Sequence, residues 1–299
     1  MLTIAAIFLL STQLLPLQNN IPIQLQDALT ECNRVKLAGP IAAKLGSVAS
    51  INVPSGLYFI PTAQAMALQK AIGNTFEGTI LGVVTSADFE PMFVLEQIQH
   101  GYISDSEADQ LHSQASGLLD TIRQNTEKGN QQRTASGMPS LVISGWDEQP
   151  EYNKSKRVLN WSIRATEGDI PIINYVQLLL NREGMIRCVA VSNLAASVNV
   201  KQTARALVAN INMNAGQRYE DFKPGVDKMA EFGLTALITG VIAKKFGLFA
   251  LIGVILVKGW KIIIVITMVF FGFLGKAFLG SNPTSNTEQP SNEQRSTDA

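Results

Sequence analysis

Few residues in this sequence are of a type and spacing that could carry chemistry. The two histidines, His100 and His112, lie 12 positions apart. His112 sits on the polar side of an amphipathic stretch and reads as a surface residue. His100 precedes Gly101-Tyr102 at the end of an expected strand. It could act as a general base, but no partner is indicated nearby. Asp105, Glu107 and Asp109 alternate like calcium ligands, without the glycine and distal glutamate of an EF-hand loop. Ser104-Asp105-Ser106-Glu107 also has the form of a capping box, which gives Glu107 a structural task. Cys32 and Cys188 are far apart in sequence and read as two separate buried thiols. Trp146, Tyr152 and Trp161 form an aromatic group that fits a strand core, with a stacking surface as the alternative. The motifs of P-loops, dinucleotide folds, zinc proteases and serine hydrolases are absent, and the sequence implies neither a metal nor a cofactor.

The elements that would position these residues follow from periodicity and turn signals. Helices are expected at residues 27–36, 62–72 and 197–211. Another begins at the capping box, with Leu111, Ala115, Leu118, Leu119 and Ile122 on one face. Strands are expected at residues 79–85, 92–98, 141–146, 158–166, 170–180 and 185–191. Pro54-Ser55-Gly56, between apolar runs at 48–53 and 57–60, reads as the turn of a hairpin. Residues 124–139 are polar and read as a loop. Strands and helices do not alternate strictly, so the expected class is α+β with a mixed sheet.

The 299 residues carry 24 basic and 24 acidic groups, 16% charged against about 25% in an average soluble domain. The zero net charge is a sum of unlike parts. Residues 1–231 have a net charge of −3, residues 232–280 carry five lysines and no acid, and residues 281–299 have a net charge of −2. This distribution excludes a phosphate-tracking nucleic-acid binder and divides the chain into four parts. Residues 1–19 are a signal peptide or an apolar N-terminal helix. Residues 20–231 form the α+β domain, and residues 281–299 form a polar disordered tail.

Residues 232–280 are the expected membrane anchor, so a lipid bilayer is an expected partner. The anchor has three apolar runs, at 232–243, 246–257 and 262–275, divided by Lys244-Lys245 and by Lys258 and Lys261. Residues 262–280 would span about 28 Å as a helix, close to the bilayer core. A single helix over 246–275 would place Lys258 and Lys261 near mid-bilayer, whereas a hairpin turning at Lys258-Gly259-Trp260-Lys261 avoids that cost. Gly233, Gly240 and Gly247 recur every seven residues, as on a close-packing helical face.

An ordered set of motifs connects these parts. It runs from Pro54-Ser55-Gly56 through Gly101-Tyr102-Ile103-Ser104-Asp105-Ser106-Glu107-Ala108, Asn130-Gln131-Gln132-Arg133, Gly145-Trp146 and Leu159-Asn160-Trp161. Asn174-Tyr175, Arg182-Glu183-Gly184, Gly216-Gln217-Arg218-Tyr219-Glu220-Asp221-Phe222 and Asp227-Lys228-Met229-Ala230-Glu231-Phe232-Gly233 follow. In this order they resemble a bacterial family of uncharacterised membrane-anchored proteins, domain of unknown function 2167. The resemblance implies a periplasmic domain held at a Gram-negative inner membrane and implies no activity.

Two functions are then open. The domain could bind an envelope protein or polymer without catalysis. Alternatively, it could be a hydrolase or transferase acting on an envelope polymer or lipid. The candidate site residues are Asn130, Arg133, Trp146, Trp161, Asn174, Tyr175, Arg182, Arg218, Tyr219 and Asp221. Convergence of these polar side chains on one concave pocket would favour the enzyme.

Overall fold

The computed structural model describes residues 22–135 and 137–240. The expected signal segment, the anchor beyond residue 240 and the polar tail lie outside the described residues. Among the described residues, no helix is long and apolar enough to cross a membrane.

The first half of the chain runs α1 (Ile23–Val35), β1 (Leu37–Ala38), β2 (Ile41–Leu45), β3 (Ala49–Val53), β4 (Tyr58–Pro61), α2 (Thr62–Ala71), β5 (Thr79–Thr85), β6 (Met92–Ile98) and α3 (Leu111–Ala135). The second half runs β7 (Leu141–Asn153), β8 (Val158–Glu167), β9 (Ile170–Asn181), β10 (Gly184–Ser192), α4 (Ser197–Ala209), β11 (Ile211–Met213) and α5 (Leu234–Thr239). Eight strands form an antiparallel sheet in the order β1-β4-β5-β6-β10-β9-β8-β7, and β11-β3-β2 form a second sheet. The α+β class stands, but the expected mixed sheet does not: every strand pairing in both sheets is antiparallel, because the long strands are joined by short turns rather than helical crossovers.

The large sheet is buried on both faces, which explains why its strands read as nearly continuous apolar runs. One face packs against α1, α2, α3 and α5 through residues such as Cys32, Leu68, Ile122, Trp161, Val176 and Leu237. The other packs against α4 and the small sheet through Ile51, Phe93, Tyr175, Cys188, Ala204 and Leu207. Side chains alternate along each strand, so Leu178 faces the first layer while Tyr175 faces the second. The two cysteines therefore sit in different layers and remain free thiols. Burial raises the Cys32 thiol to about 11 and the Cys188 thiol to about 12.

Several local expectations are corrected. Residues 124–135 continue α3 rather than forming a loop. Their Gln, Glu, Lys and Arg are good helix formers, and Thr126 and Asn130 are buried on the helix. The capping box does not form. The Ser104 hydroxyl accepts the Ser106 amide, a single 3₁₀ turn spans Ala108–Gln110, and Glu107 reaches instead to Thr235. Pro54-Ser55-Gly56 does not join a hairpin, because β3 lies in the small sheet and β4 in the large one. The turn carries the chain between layers.

The start of the expected anchor packs with the domain. Leu234, Leu237 and Ile238 on α5 are buried in the first core layer, and Gly240 ends the helix in a left-handed conformation at φ 67°. Gly233 and Gly240 thus flank α5 and do not line one helical face. Gly233 lies directly beside the Glu107 carboxylate, where a Cβ would come within 2.4 Å of Oε1.

Candidate functional site

The sequence-selected residues separate into local groups. Asn130 and Arg133 project from the last turns of α3. The Asn130 amide donates to Leu141 O and accepts from Leu141 N, both at 2.8 Å. Arg133 donates to Pro139 O at 2.9 Å and to Glu167 at 2.6 Å. Together they fasten the start of β7. Trp146 donates its indole N–H to Ala115 O at 3.0 Å, tying β7 to α3, and Trp161 is core. The buried side chain of Asn174 lies within the large sheet. The aromatic stacking-surface alternative has no support in this placement.

A second group laces the segment after β11 across one end of the large sheet. Tyr102 stacks on Phe222 at 3.9 Å and tilts against Tyr219 at 4.4 Å. The Tyr219 hydroxyl donates to Ile103 O at 2.8 Å, and the Arg157 guanidinium covers the Tyr219 ring at 4.6 Å. Arg157 also pairs with Asp105 at 2.8 Å and Glu220 at 3.0 Å, while the Tyr152 hydroxyl donates to Asp105 at 3.0 Å. The backbone of Arg157 is left-handed at φ 56°, at a cost of about 1–2 kcal/mol that these contacts offset. Arg182 forms a two-pronged pair with Asp227, both bonds at 2.7 Å. That guanidinium, with the Lys223 amide, lowers the Asp227 carboxyl to about 2. Asp221 accepts from the Arg218 amide at 2.9 Å. Gly101, at φ 103°, allows Tyr102 to bridge Met229, since a Cβ there would come within 2.7 Å of Lys228 O.

Two polar pairs escaped sequence reasoning. His100 Nε2 lies 2.5 Å from Glu77 Oε1, with the His100 ring edge-on to Phe232 at 5.2 Å. Glu96 and Arg187 stand opposite one another on β6 and β10 and form a buried ion pair, 2% and 6% exposed, with Glu96 also accepting Gly78 N at 2.5 Å. No local pattern links Glu77 to His100, because their separation in sequence is closed only by the fold.

Among the described residues, a concave polar surface lies on the α4 side of the large sheet. A groove of about 440 Å³ runs between the turn after β7, the ends of β8 and β9, the end of α4 and the start of β11. Its polar lining is Glu151, Asn153, Lys156, Asn160, Gln177 and Arg205. Its apolar lining is Val158, Leu179, Val208, Ala209 and Ile211. Asn160 and Gln177 are register partners on β8 and β9. Gln177 is only 4% exposed, and its Oε1 has no hydrogen-bond partner in the fold. Arg205 is fixed by Glu148 at 2.5 Å and lies over the Tyr175 ring at 5.5 Å. Burial, against the nearby Arg205 charge, raises the Tyr175 hydroxyl.

Beside the groove, Lys201 bridges Asp147 at 2.6 Å and Glu148 at 3.0 Å, and Ser162 donates to Asp147 at 2.7 Å. Burial would raise the Asp147 carboxyl, but the bonds from Lys201 and Ser162, with the Lys201 and Arg164 charges, hold it below its usual value. This network stiffens the wall that carries Arg205. Of the sequence-selected residues, only Tyr175 stands near this groove. The signal that could have found it was the pair of carboxamides at Asn160 and Gln177, on the same face as Val158, Tyr175 and Leu179.

The motifs that make up the aromatic lacing and the strand ends belong to one family model, described as protein of unknown function (DUF2167), which matches residues 38–269. The chain belongs to the DUF2167 family. The DUF2167 match starts within β1 and includes both sheets and the groove. No curated protein matches the chain. Among solved structures, the chain is similar to the cyanobacterial PsbP protein CyanoP from Synechocystis sp. PCC 6803. The identity is 10%, with 60% of this chain and 95% of that one covered, at a TM-score of 0.38.

Proposed function

We propose that this DUF2167 domain is a binding module of the bacterial envelope, periplasmic and held at the inner membrane by the lysine-divided apolar segment after Gly240. The observation that carries the binding reading is the groove, with a buried amide at Gln177 whose oxygen is left for a ligand. The anchor reading is supported by the five lysines and the absence of acids over residues 232–280. The positive-inside preference would place lysines of that segment on the cytoplasmic side.

The enzyme alternative draws less support. Arg133 is bound to Pro139 and Glu167 at the start of β7, Arg182 is paired with Asp227, and Asp221 accepts the Arg218 backbone amide, so these groups serve local fastenings and none of them lines the groove. The test is mild crosslinking in native membranes followed by co-purification. A stoichiometric envelope partner, lost when Gln177 is replaced, is the expected result. Recovery of the chain alone would overturn the binding reading, and resistance of the domain to protease added to spheroplasts would overturn its placement.

A further inference from the structure

We propose that the groove between β8, β9 and α4 takes a short extended peptide and recognises its main chain. This rests on the binding reading above and names the ligand class of the same site. The floor carries two adjacent carboxamides, Asn160 and Gln177. A side-chain amide offers both a donor group and an acceptor, the same complement that a peptide unit presents. Gln177 Oε1, buried and without a partner, fits a main-chain N–H of the ligand. Leaving such a group unpaired is costly, so a donor arriving there is favoured by the desolvation already incurred.

The walls decide among amide- and hydroxyl-bearing ligands. Val158, Leu179, Val208 and Ile211 are aliphatic, and no aromatic ring lines the groove to stack against a sugar face. Aliphatic walls suit small apolar side chains alternating with the main-chain contacts. Ile211 also begins β11, an edge strand of the small sheet, so the groove adjoins a strand edge of the kind that extended peptides can extend. At the mouth, Glu151 and Lys156 are opposite in sign, and neither makes an ion pair among the described residues. That balance fits an uncharged main chain better than a polyanion.

The experiment uses the full chain in nanodiscs and two probes: a pool of blocked tetrapeptides of Ala, Val and Leu, and the tetramer of N-acetylglucosamine. Binding is read by saturation-transfer NMR and isothermal titration, with Gln177→Leu and Asn160→Leu as variants and Lys70→Gln, on α2 across the large sheet, as control. The peptides are expected to bind. Gln177→Leu should weaken them about tenfold or more without lowering Tm, since it removes a buried unpaired oxygen. Asn160→Leu should weaken them in the same direction, which keeps the test valid if the buried variant misfolds. Lys70→Gln should change affinity less than about twofold, since α2 lies on the opposite face of the large sheet. Peptide affinity unchanged in both leucine variants would overturn the proposal. Binding of the sugar tetramer alone, lost in either leucine variant, would overturn the peptide class and keep the binding module. Silence from both probes, with no crosslink in intact cells from a photoreactive residue at position 156, would overturn both.

Discussion

The side-chain amide of Asn130 makes two hydrogen bonds to the main chain of one residue, Leu141, both at 2.8 Å. It does what a neighbouring strand would do at the edge of the large sheet. Arg123 adds bonds to Ile143 O at 3.4 Å and Ser144 O at 3.0 Å. Polar side chains of α3 therefore cap the start of the β7 edge, which blunts it as a template for foreign strands.

Asn130→Leu should cost about 1–3 kcal/mol by stranding the Leu141 groups. Asn130→Asp should be at least as damaging at neutral pH, because a carboxylate would face Leu141 O. That variant should regain ground relative to the parent as pH falls below about 4, where a protonated acid can donate again. Urea denaturation at several pH values measures both effects.

The Arg182–Asp227 pair predicts a sign for acid sensitivity. Because the folded carboxyl is lowered to about 2, its contribution is present above the unfolded value and fades as pH falls toward 2. Asp227→Asn should be less stable than the parent at neutral pH, and the gap should narrow between about pH 4 and pH 2. Thermal melts across that range are the check.

Breaking the Glu96–Arg187 pair from one side should be severe. Glu96→Leu leaves a buried guanidinium and an unpaired Gly78 amide, at about 3–5 kcal/mol. The double variant Glu96→Leu with Arg187→Met should recover much of that loss. A double-mutant cycle by chemical denaturation reads the coupling.

Glu107, Thr235 and Gly233 should behave as one unit. The carboxylate accepts the Thr235 amide at 3.0 Å and hydroxyl at 2.7 Å, and Gly233 leaves it room. Gly233→Ala should push Glu107 away and destabilise the fold about as much as Glu107→Ala, by about 1–2 kcal/mol, read by urea denaturation. The two together should cost little more than either alone.

Maleimide labelling should find both cysteines inert in the native chain. Burial raises their thiols to about 11 and 12, and they lie in different layers. Labelling should track global unfolding, followed by intact mass.

The sequence made the long sheet strands legible because two-sided burial leaves them as apolar runs. Residues 79–85 and 92–98 match β5 and β6, and α2 starts at the expected Thr62. It hid β1, β2 and β11, of 2, 5 and 3 residues, which gain strand form only from their partners. Glu107 misled for a physical reason: a capping box and a distant clasp use the same carboxylate, and only the fold brings Thr235 within reach. The motif residues were visible as a set, but whether they converge could be read only from the fold, which distributes Asn130 and Arg133 to fastening the start of β7 and Arg182 and Asp221 to fastening the segment after β11. The Asn160–Gln177 pair went unseen as a pair because cross-strand register joins residues 17 positions apart.

The short α5 has a mechanical meaning. Six residues are seated by Leu234, Leu237 and Ile238, clasped at their start by Glu107 and stopped at Gly240. Tension applied through the chain beyond Gly240 meets this helix before it meets any strand of the large sheet. The domain is therefore built to yield first at a small detachable plug, with its ladder of strands and its groove left standing.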